Sequence, residues 1–428
     1  MNRIYPLIGV AVALTVIVLF FAVPALERSA SSHYTLGFAD DYDLLGRHLA
    51  SGQGYRFGRE LGETMMREPG YPLLLAGLFK VFGFGIEAAR LANLLLAAAT
   101  ALLLWHLARR VTRDQAAACV AATVFLLYPG TLVAEARGGV EILFMFALVG
   151  FMLLLYRAIE ADSAKHYLLA GLALGGVVLI RSTPLLFPLV LLPCLAWAAP
   201  PGGRLRRAAL GGLLVGAMGL AMSPWVLRNH ALSGEFVPTA SVQGVAAQEG
   251  QYTCERLSFD SDFLALQLQA ARERNRLASE AGLRFKSGYY QYFYTVADEV
   301  TFNRALLHRA FARYREDPAF LAQCAGSNLL NFWFLGKNGL ATAVNAGMQL
   351  PLLALALAGL YMTARRSAPM AWAPIALFAA YLLAVHVPII AHARHSIALV
   401  PFLAIFAGSA LVGGWRRLAG GSIRLRTA

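Results

Sequence analysis

The sequence predicts an all-α polytopic membrane protein. Of its 428 residues, 58% are hydrophobic and only 14% are charged, with a mean hydropathy of +0.58, whereas soluble chains carry about 25% charged residues. The apolar residues are also gathered into runs long enough to span a bilayer. The formal charge of +13 comes from short clusters between those runs, which is how loops orient a membrane protein, and no nucleic-acid partner is expected.

Taken in order, the apolar runs fall near residues 4–23, 88–107, 115–131, 140–157, 166–181, 184–199, 208–227, 346–363, 370–390 and 396–414, which makes about ten helices. The first follows Arg3 and precedes "VPALERSA", a candidate cleavage site. Further runs follow it, so an uncleaved first helix is expected. Alternate connections are basic: Arg3, then Arg109, Arg110 and Arg113, then Arg157 and Lys165, then Arg204, Arg206 and Arg207, then Arg365 and Arg366, then Arg416, Arg417, Arg424 and Arg426. The positive-inside rule places these in the cytoplasm and residues 24–87 and 228–345 outside. The expected organisation is an N-terminal transmembrane module over 1–227 with its first outer loop at 24–87, a helical periplasmic or extracytoplasmic domain over 228–345, and C-terminal transmembrane helices with a basic tail over 346–428. Such a chain is a multi-pass protein of the cytoplasmic (inner) membrane.

The outer segments hold most of the polar sequence. Residues 262–283 and 299–316 have helical periodicity, Pro318 opens another helix, and "YYQYFYTVADEV" supplies an aromatic stretch read as domain core. Cys254 and Cys324 fall in this domain, where a disulfide or two free thiols are both open, while Cys119 and Cys194 fall in apolar runs. The run "EPGYPLLLAGLFKVFGF" is interrupted by Lys80 and is short for a span, so segments 40–52 and 70–83 are read as two juxtamembrane helices.

Charges stranded at the outer ends of the apolar runs point to a site. Arg67, Arg181, Arg228 and Arg394 all lie at that level, and guanidinium forks bind phosphate bidentately while remaining charged when partly desolvated. The bland alternative for each is snorkelling to lipid headgroups. Asp40 and Asp41, in "GFADDYDLLGR", share that level. A carboxylate there would serve as general base on an acceptor hydroxyl while the arginines hold a lipid-linked sugar phosphate; its alternative is capping of the juxtamembrane helix. Glu141 is a second acidic candidate or a helix-terminal charge. His392 and His395 flank Arg394 and are read as interfacial polar residues or metal ligands, and His106 and His386 as packed histidines. A divalent metal stays open as a cofactor.

The same residues carry a resemblance. "DDYDLLGRHLASGQGYRFG", "REPGYPLLLAGLFKVFG", "RGGVEILFMFALV", "GLALGGVVLIRSTPLL", "SPWVLRNHALSGEFVP" and "ARHSIALVPFLAIFAG" occur in that order. They resemble the GT-C glycosyltransferases of the dolichyl-phosphate-mannose–protein mannosyltransferase type, which include the bacterial aminoarabinose transferases. The resemblance spans most of the membrane portion and leaves 240–340 uncovered. It implies a GT-C-like bundle and transfer of a sugar from a polyprenyl-phosphate-linked donor to a hydroxyl of a lipid, envelope glycan or protein. It assigns the base to Asp40 or Asp41, donor phosphate contacts to Arg67, Arg181, Arg228 and Arg394, and a second acidic role to Glu141; His392 and His395, by their place beside Arg394, and Tyr71 and Asn229, within the matching motifs, are further candidates for substrate or metal contact. Two other classes compete. A transporter or flippase would place charges near the bilayer midplane, often in broken helices, and an O-antigen-ligase-like enzyme would not need the acid-bearing first loop.

Overall fold

A computed structural model describes residues 5–17, 40–199, 202–257 and 262–424. The end of the expected first span and the start of the first outer loop, residues 18–39, lie outside the described residues, as do Arg3 and Arg426. The chain is helical nearly throughout. Its apolar helices are α1 Tyr5–Ile17, α4 Ile86–Thr112, α5 Gln115–Leu127, α7 Val140–Ala161, α8 Ala164–Ile180, α9 Pro188–Trp197, α10 Arg204–Ser233, α15 Gly339–Ala364, α16 Ala373–His386 and α18 Val400–Arg424. The two juxtamembrane helices are α2 Tyr42–Ala50 and α3 Gly70–Phe82.

Each expected apolar run coincides with helix over most of its described residues, but length separates them. Among the described residues, five helices are long and apolar enough to cross a membrane, and a sixth candidate forms if α5 and the following α6 (Pro129–Ala136) count as one span bent by 48°. The bend has a local cause: Pro129 cannot donate to the ladder, and Tyr128 before it is extended at φ −65°, ψ 124°. The segments Ala164–Ile180, Thr183–Trp197 and Ala373–His386 are apolar but shorter. A hydropathy window registers apolar content and is blind to such breaks.

Packing is tightest where side chains are small. α10 lies along α8, and a Cβ on Gly175 would stand 2.7 Å from the Met218 carbonyl oxygen, so this one-turn glycine repeat with Gly171 lets two backbones meet, as between membrane helices generally. The core is aromatic and aliphatic, with Phe187 set edge-on to Phe378 at 5.1 Å between ring centroids.

The basic connections gather at one end of the bundle. Arg110 pairs with Glu160 at 2.9 Å, Arg207 with Asp162 at 3.2 Å, and Arg416 with Asp114. Glu141 begins α7 and Glu160 lies near its end, so the helix separates the two ends by roughly 30 Å.

At the other end sits the polar segment: α11 Gln243–Arg256, α12 Phe263–Glu280, α13 Val296–Glu316 and α14 Pro318–Phe334, with a short antiparallel pair, β1 Phe285–Lys286 and β2 Tyr292–Phe293. Asp262, Thr295 and Asp317 cap three of these helices with their side chains. Cys254 and Cys324 form a disulfide with Cα atoms 5.5 Å apart, which ties α11 to α14. A buried ion pair, Arg274 with Glu249 at 3.3 Å, is completed by the Tyr289 hydroxyl and the Gln267 amide. α11 and the strand pair are elements the sequence reading lacks.

Candidate active site

Asp40 and Asp41 open α2 on two successive left-handed residues, φ 63° and 58°, a conformation that aspartate tolerates better than most side chains. Asp41 occupies the N-cap position yet makes no side-chain cap bond. Its carboxylate instead accepts from the Tyr292 hydroxyl. Asp40 accepts from the Tyr290 hydroxyl at 3.1 Å and pairs with Arg394 Nη2 at 2.7 Å. Helix capping therefore does not account for either acid. The aromatic stretch read as domain core supplies both tyrosine hydroxyls, because the β1–β2 turn swings it over the mouth of the bundle.

The opposing wall is built on the break between α6 and α7. Arg90 Nε donates to the Ala136 carbonyl at 2.8 Å, the Asn93 amide to Gly139 at 3.2 Å, and the Tyr71 hydroxyl to Gly138. These bonds fix the turn that carries Arg137 and Glu141. A Cβ on Gly139 would run into the Glu141 carboxylate, so a larger residue there would displace that side chain. That carboxylate accepts from Arg394 Nε at 2.5 Å and lies 3.9 Å from Arg181 Nη1. Arg394 thus forks between Asp40 and Glu141. Arg181 follows the last turn of α8, and the next backbone N–H, at Ser182, donates to Glu68 at 2.9 Å.

Arg67 is 7% exposed and lies between the rings of Tyr290 and Tyr42, at 4.3 and 5.5 Å from their centroids. Its Nη2 is 3.9 Å from Asp40. The Nε and Nη2 groups of Arg67 and the Nε group of Arg137 are buried without a hydrogen-bond partner among the described residues, and a buried donor left without an acceptor is costly. Burial lowers the Arg137 pKa and the Arg394 charge lowers it further; Lys337, in the loop after α14, is lowered by burial and by Arg137 and Arg394. Burial alone would raise the Asp40 carboxyl, but Arg394 and Arg67 outweigh it and hold the group well below the usual carboxylate range. Burial raises the Tyr290 hydroxyl, so it stays a proton donor to Asp40.

Arg67, Arg181, Arg394, Asp40, Asp41 and Glu141 are thus brought together, with Arg137, Lys337, Tyr290 and Tyr292 added. Arg137 sits in a short glycine-rich turn and Lys337 in a loop, so neither stands out from an apolar run. Other candidates are engaged elsewhere. Arg228 donates to the Thr64 carbonyl at 3.1 Å, pairs with Glu63 at 3.3 Å and lies over the Trp225 ring at 4.6 Å. Asn229 gives its amide to Val237 and Thr239 carbonyls. His392 and His395 cap the short helix α17 Ala393–Ser396 reciprocally, with rings 4.1 Å apart, and burial pushes the His392 pKa down to about 3. His386 is packed, 4.4 Å from His395, whereas His106 is exposed. No group of three His, Cys, Asp or Glu side chains suited to a metal occurs among the described residues, and a guanidinium already fills the space between the two acids where a cation would sit.

Residues 67–227 match the family model of the dolichyl-phosphate-mannose-protein mannosyltransferases. No curated protein matches. Among solved structures, the oligosaccharyltransferase AglB of Archaeoglobus fulgidus, in complex with an inhibitory peptide and a dolichol-phosphate, is similar at 14% identity and a TM-score of 0.58, over 100% of this chain and 52% of its own. A second structure of the A. fulgidus oligosaccharyltransferase, tethered with an acceptor peptide, gives 14% identity and 0.57 over 97% and 50%. ArnT of Cupriavidus metallidurans bound to undecaprenyl phosphate gives 17% and 0.43 over 94% and 76%. The chain spans about half the length of the two oligosaccharyltransferase structures. Its helical bundle, with the acid-bearing loop and polar segment at one end, is the GT-C fold.

Proposed function

We propose that this protein is a membrane glycosyltransferase that moves a sugar from a polyprenyl-phosphate-linked donor to a hydroxyl of a lipid, envelope glycan or protein at the outer face of the cytoplasmic membrane. One observation carries the reading. Arg67, Arg137, Arg181, Arg394 and Lys337 converge on a place where, among the described residues, Asp40 and Glu141 are the carboxylates within 4 Å of these guanidinium groups, and buried N–H groups of Arg67 and Arg137 lack an acceptor. A phosphate diester supplies the missing acceptors and charge. A disulfide in the adjoining polar segment fits an oxidising compartment, and the basic connections gather at the other end of the bundle, as the positive-inside rule requires of a cytoplasmic face.

The mechanism follows from competition for Arg394. Without donor, Asp40 is held as a tightly paired, weakly basic carboxylate. A donor phosphate draws Arg394 and Arg67 toward itself, and Asp40, relieved of part of that charge, regains basicity at the moment substrate is present. Asp40 then takes the acceptor hydroxyl proton, the acceptor oxygen bonds to the anomeric carbon, and the bond from that carbon to the phosphate oxygen breaks. The polyprenyl phosphate leaves with the electron pair, its charge met by the arginines. Glu141 and Tyr290 hold Arg394 and Asp40 in place for the exchange.

Asp40→Asn in the full chain, reconstituted in nanodiscs, tests this. It keeps the shape of the side chain and removes the base, so undecaprenyl phosphate binding by native mass spectrometry should persist while sugar transfer from a polyprenyl-phosphate donor falls roughly a hundredfold to ten-thousandfold. Asp41→Asn is the companion variant. Normal transfer by both single variants and by the double variant would reject a first-loop base and return the ligase and transporter readings.

A further inference from the structure

The end of the bundle remote from Asp40 holds a cavity of about 240 Å³ between the ends of α15 and α18 and the turn joining α4 to α5. Thr112, Asp114, Thr363, Arg366, Ser409 and Arg417 are among the side chains that line it. Arg416 also reaches the cavity and spends its charge on Asp114, with Nη2 3.3 Å from Oδ1. Arg366 and Arg417 have no carboxylate within 4 Å among the described residues. The cavity therefore carries two uncompensated guanidinium groups beside the Ser409 hydroxyl, while the Thr112 and Thr363 hydroxyls already donate to the Ala108 and Gly359 carbonyls.

We propose that this cavity is a binding site for the phosphate of an anionic phospholipid headgroup. Guanidinium groups and hydroxyls are the donors that a phosphate diester recruits, and basic pockets between membrane helices hold anionic headgroups. Free phosphate offers the same chemistry, but the surroundings favour a lipid. Leu357 and Tyr361 on α15, and Leu411, Trp415 and Leu418 on α18, are exposed beside the basic residues, which gives acyl chains an apolar wall and the headgroup level its aromatic anchors. The site lies at the far end of α7 from the Asp40 cluster, so it is independent of the transfer chemistry.

The test counts lipids retained by the full chain. Protein equilibrated in mixed phosphatidylglycerol and phosphatidylcholine, then passed to detergent, is examined by native mass spectrometry. Wild type should retain one phosphatidylglycerol in preference to phosphatidylcholine. Arg366→Gln/Arg417→Gln should retain roughly tenfold less or lower, and Arg157→Gln, a basic residue at the same end outside the cavity, should behave as wild type. Ser409→Leu keeps both guanidinium groups and fills the cavity, so it should also lose the lipid. Equal retention by all variants, or equal loss in Arg157→Gln, would overturn the proposal in favour of diffuse attraction. Release of phosphatidylglycerol by millimolar inorganic phosphate, with the same protection against thermal unfolding, would overturn the lipid assignment and leave a free-phosphate site.

Discussion

Arg394 is the residue on which the arrangement turns, because one planar fork serves two carboxylates from different parts of the chain. Arg394→Ala leaves Asp40 and Glu141 without their shorter partner, and a charge-assisted contact contributes about 1.5–3 kcal/mol. Donor affinity should fall tenfold or more, with partial recovery in Arg394→Lys, which cannot span both acids; undecaprenyl phosphate titration reads the difference. The Asp40 pair also has a pH signature. Its carboxyl is depressed in the folded protein, so the stabilisation is fully present above the ordinary value of about 3.8 and is lost as pH falls below it toward the lower folded value. The thermal-stability difference between wild type and Asp40→Asn should be constant from neutral pH to about 5 and shrink below about 4. Arg67, Arg181 and Arg394 are legible in the sequence because charge is conspicuous at the edge of an apolar run. Arg228 carries the same signal, and only its three-dimensional partners, Glu63, Thr64 and Trp225, set it apart. Tyr290 and Tyr292 were not legible, since tyrosines in a polar segment have the composition of an ordinary core.

Among the elements, the loop between α2 and α3 depends on one buried acid of α13. Glu299 accepts from the Thr64 hydroxyl at 2.6 Å, from the Met65 backbone N–H at 2.9 Å and from the Ser241 hydroxyl. Burial raises its pKa against these bonds, and the Ser241 N–H returns a bond to the Met65 carbonyl at 2.9 Å. Glu299→Ala orphans these donors at about 1–3 kcal/mol for each that stays buried. Amide exchange over residues 60–69 should accelerate at least about tenfold, with Arg67 losing its set position, while Glu299→Gln retains part of the protection. The sequence pattern reveals α13 as a helix but not this bond, since Glu299 and Thr64 are 235 residues apart. The break at Tyr128–Pro129 was hidden for a different reason: its flanks are apolar on both sides, and hydropathy averages over it.

For the whole molecule, the Cys254–Cys324 bridge closes a 70-residue separation, a restraint on the unfolded chain of about 4 kcal/mol in the chain-entropy account. Cys254→Ser should lower the melting temperature in detergent, and reductant should lower wild type toward it but leave the variant unchanged. Apolar runs and basic connections were enough to read the helical class and the gathering of alternate connections at one end, because both follow from what a bilayer excludes. Pairing of the thiols and the tilt of the polar segment over Asp40 depend on distances that no periodicity records.

The Arg394 fork also has a bearing on the order of synthesis. Asp40 and Glu141 leave the ribosome early, and the guanidinium that joins them follows Asp40 by about 350 residues, roughly 20 to 70 s of translation. Until residue 394 emerges, neither acid has its shared partner. A chain released before residue 394 carries the proposed base and most of the phosphate contacts but not the group that links them, so incomplete products should be inert toward donor rather than partially active.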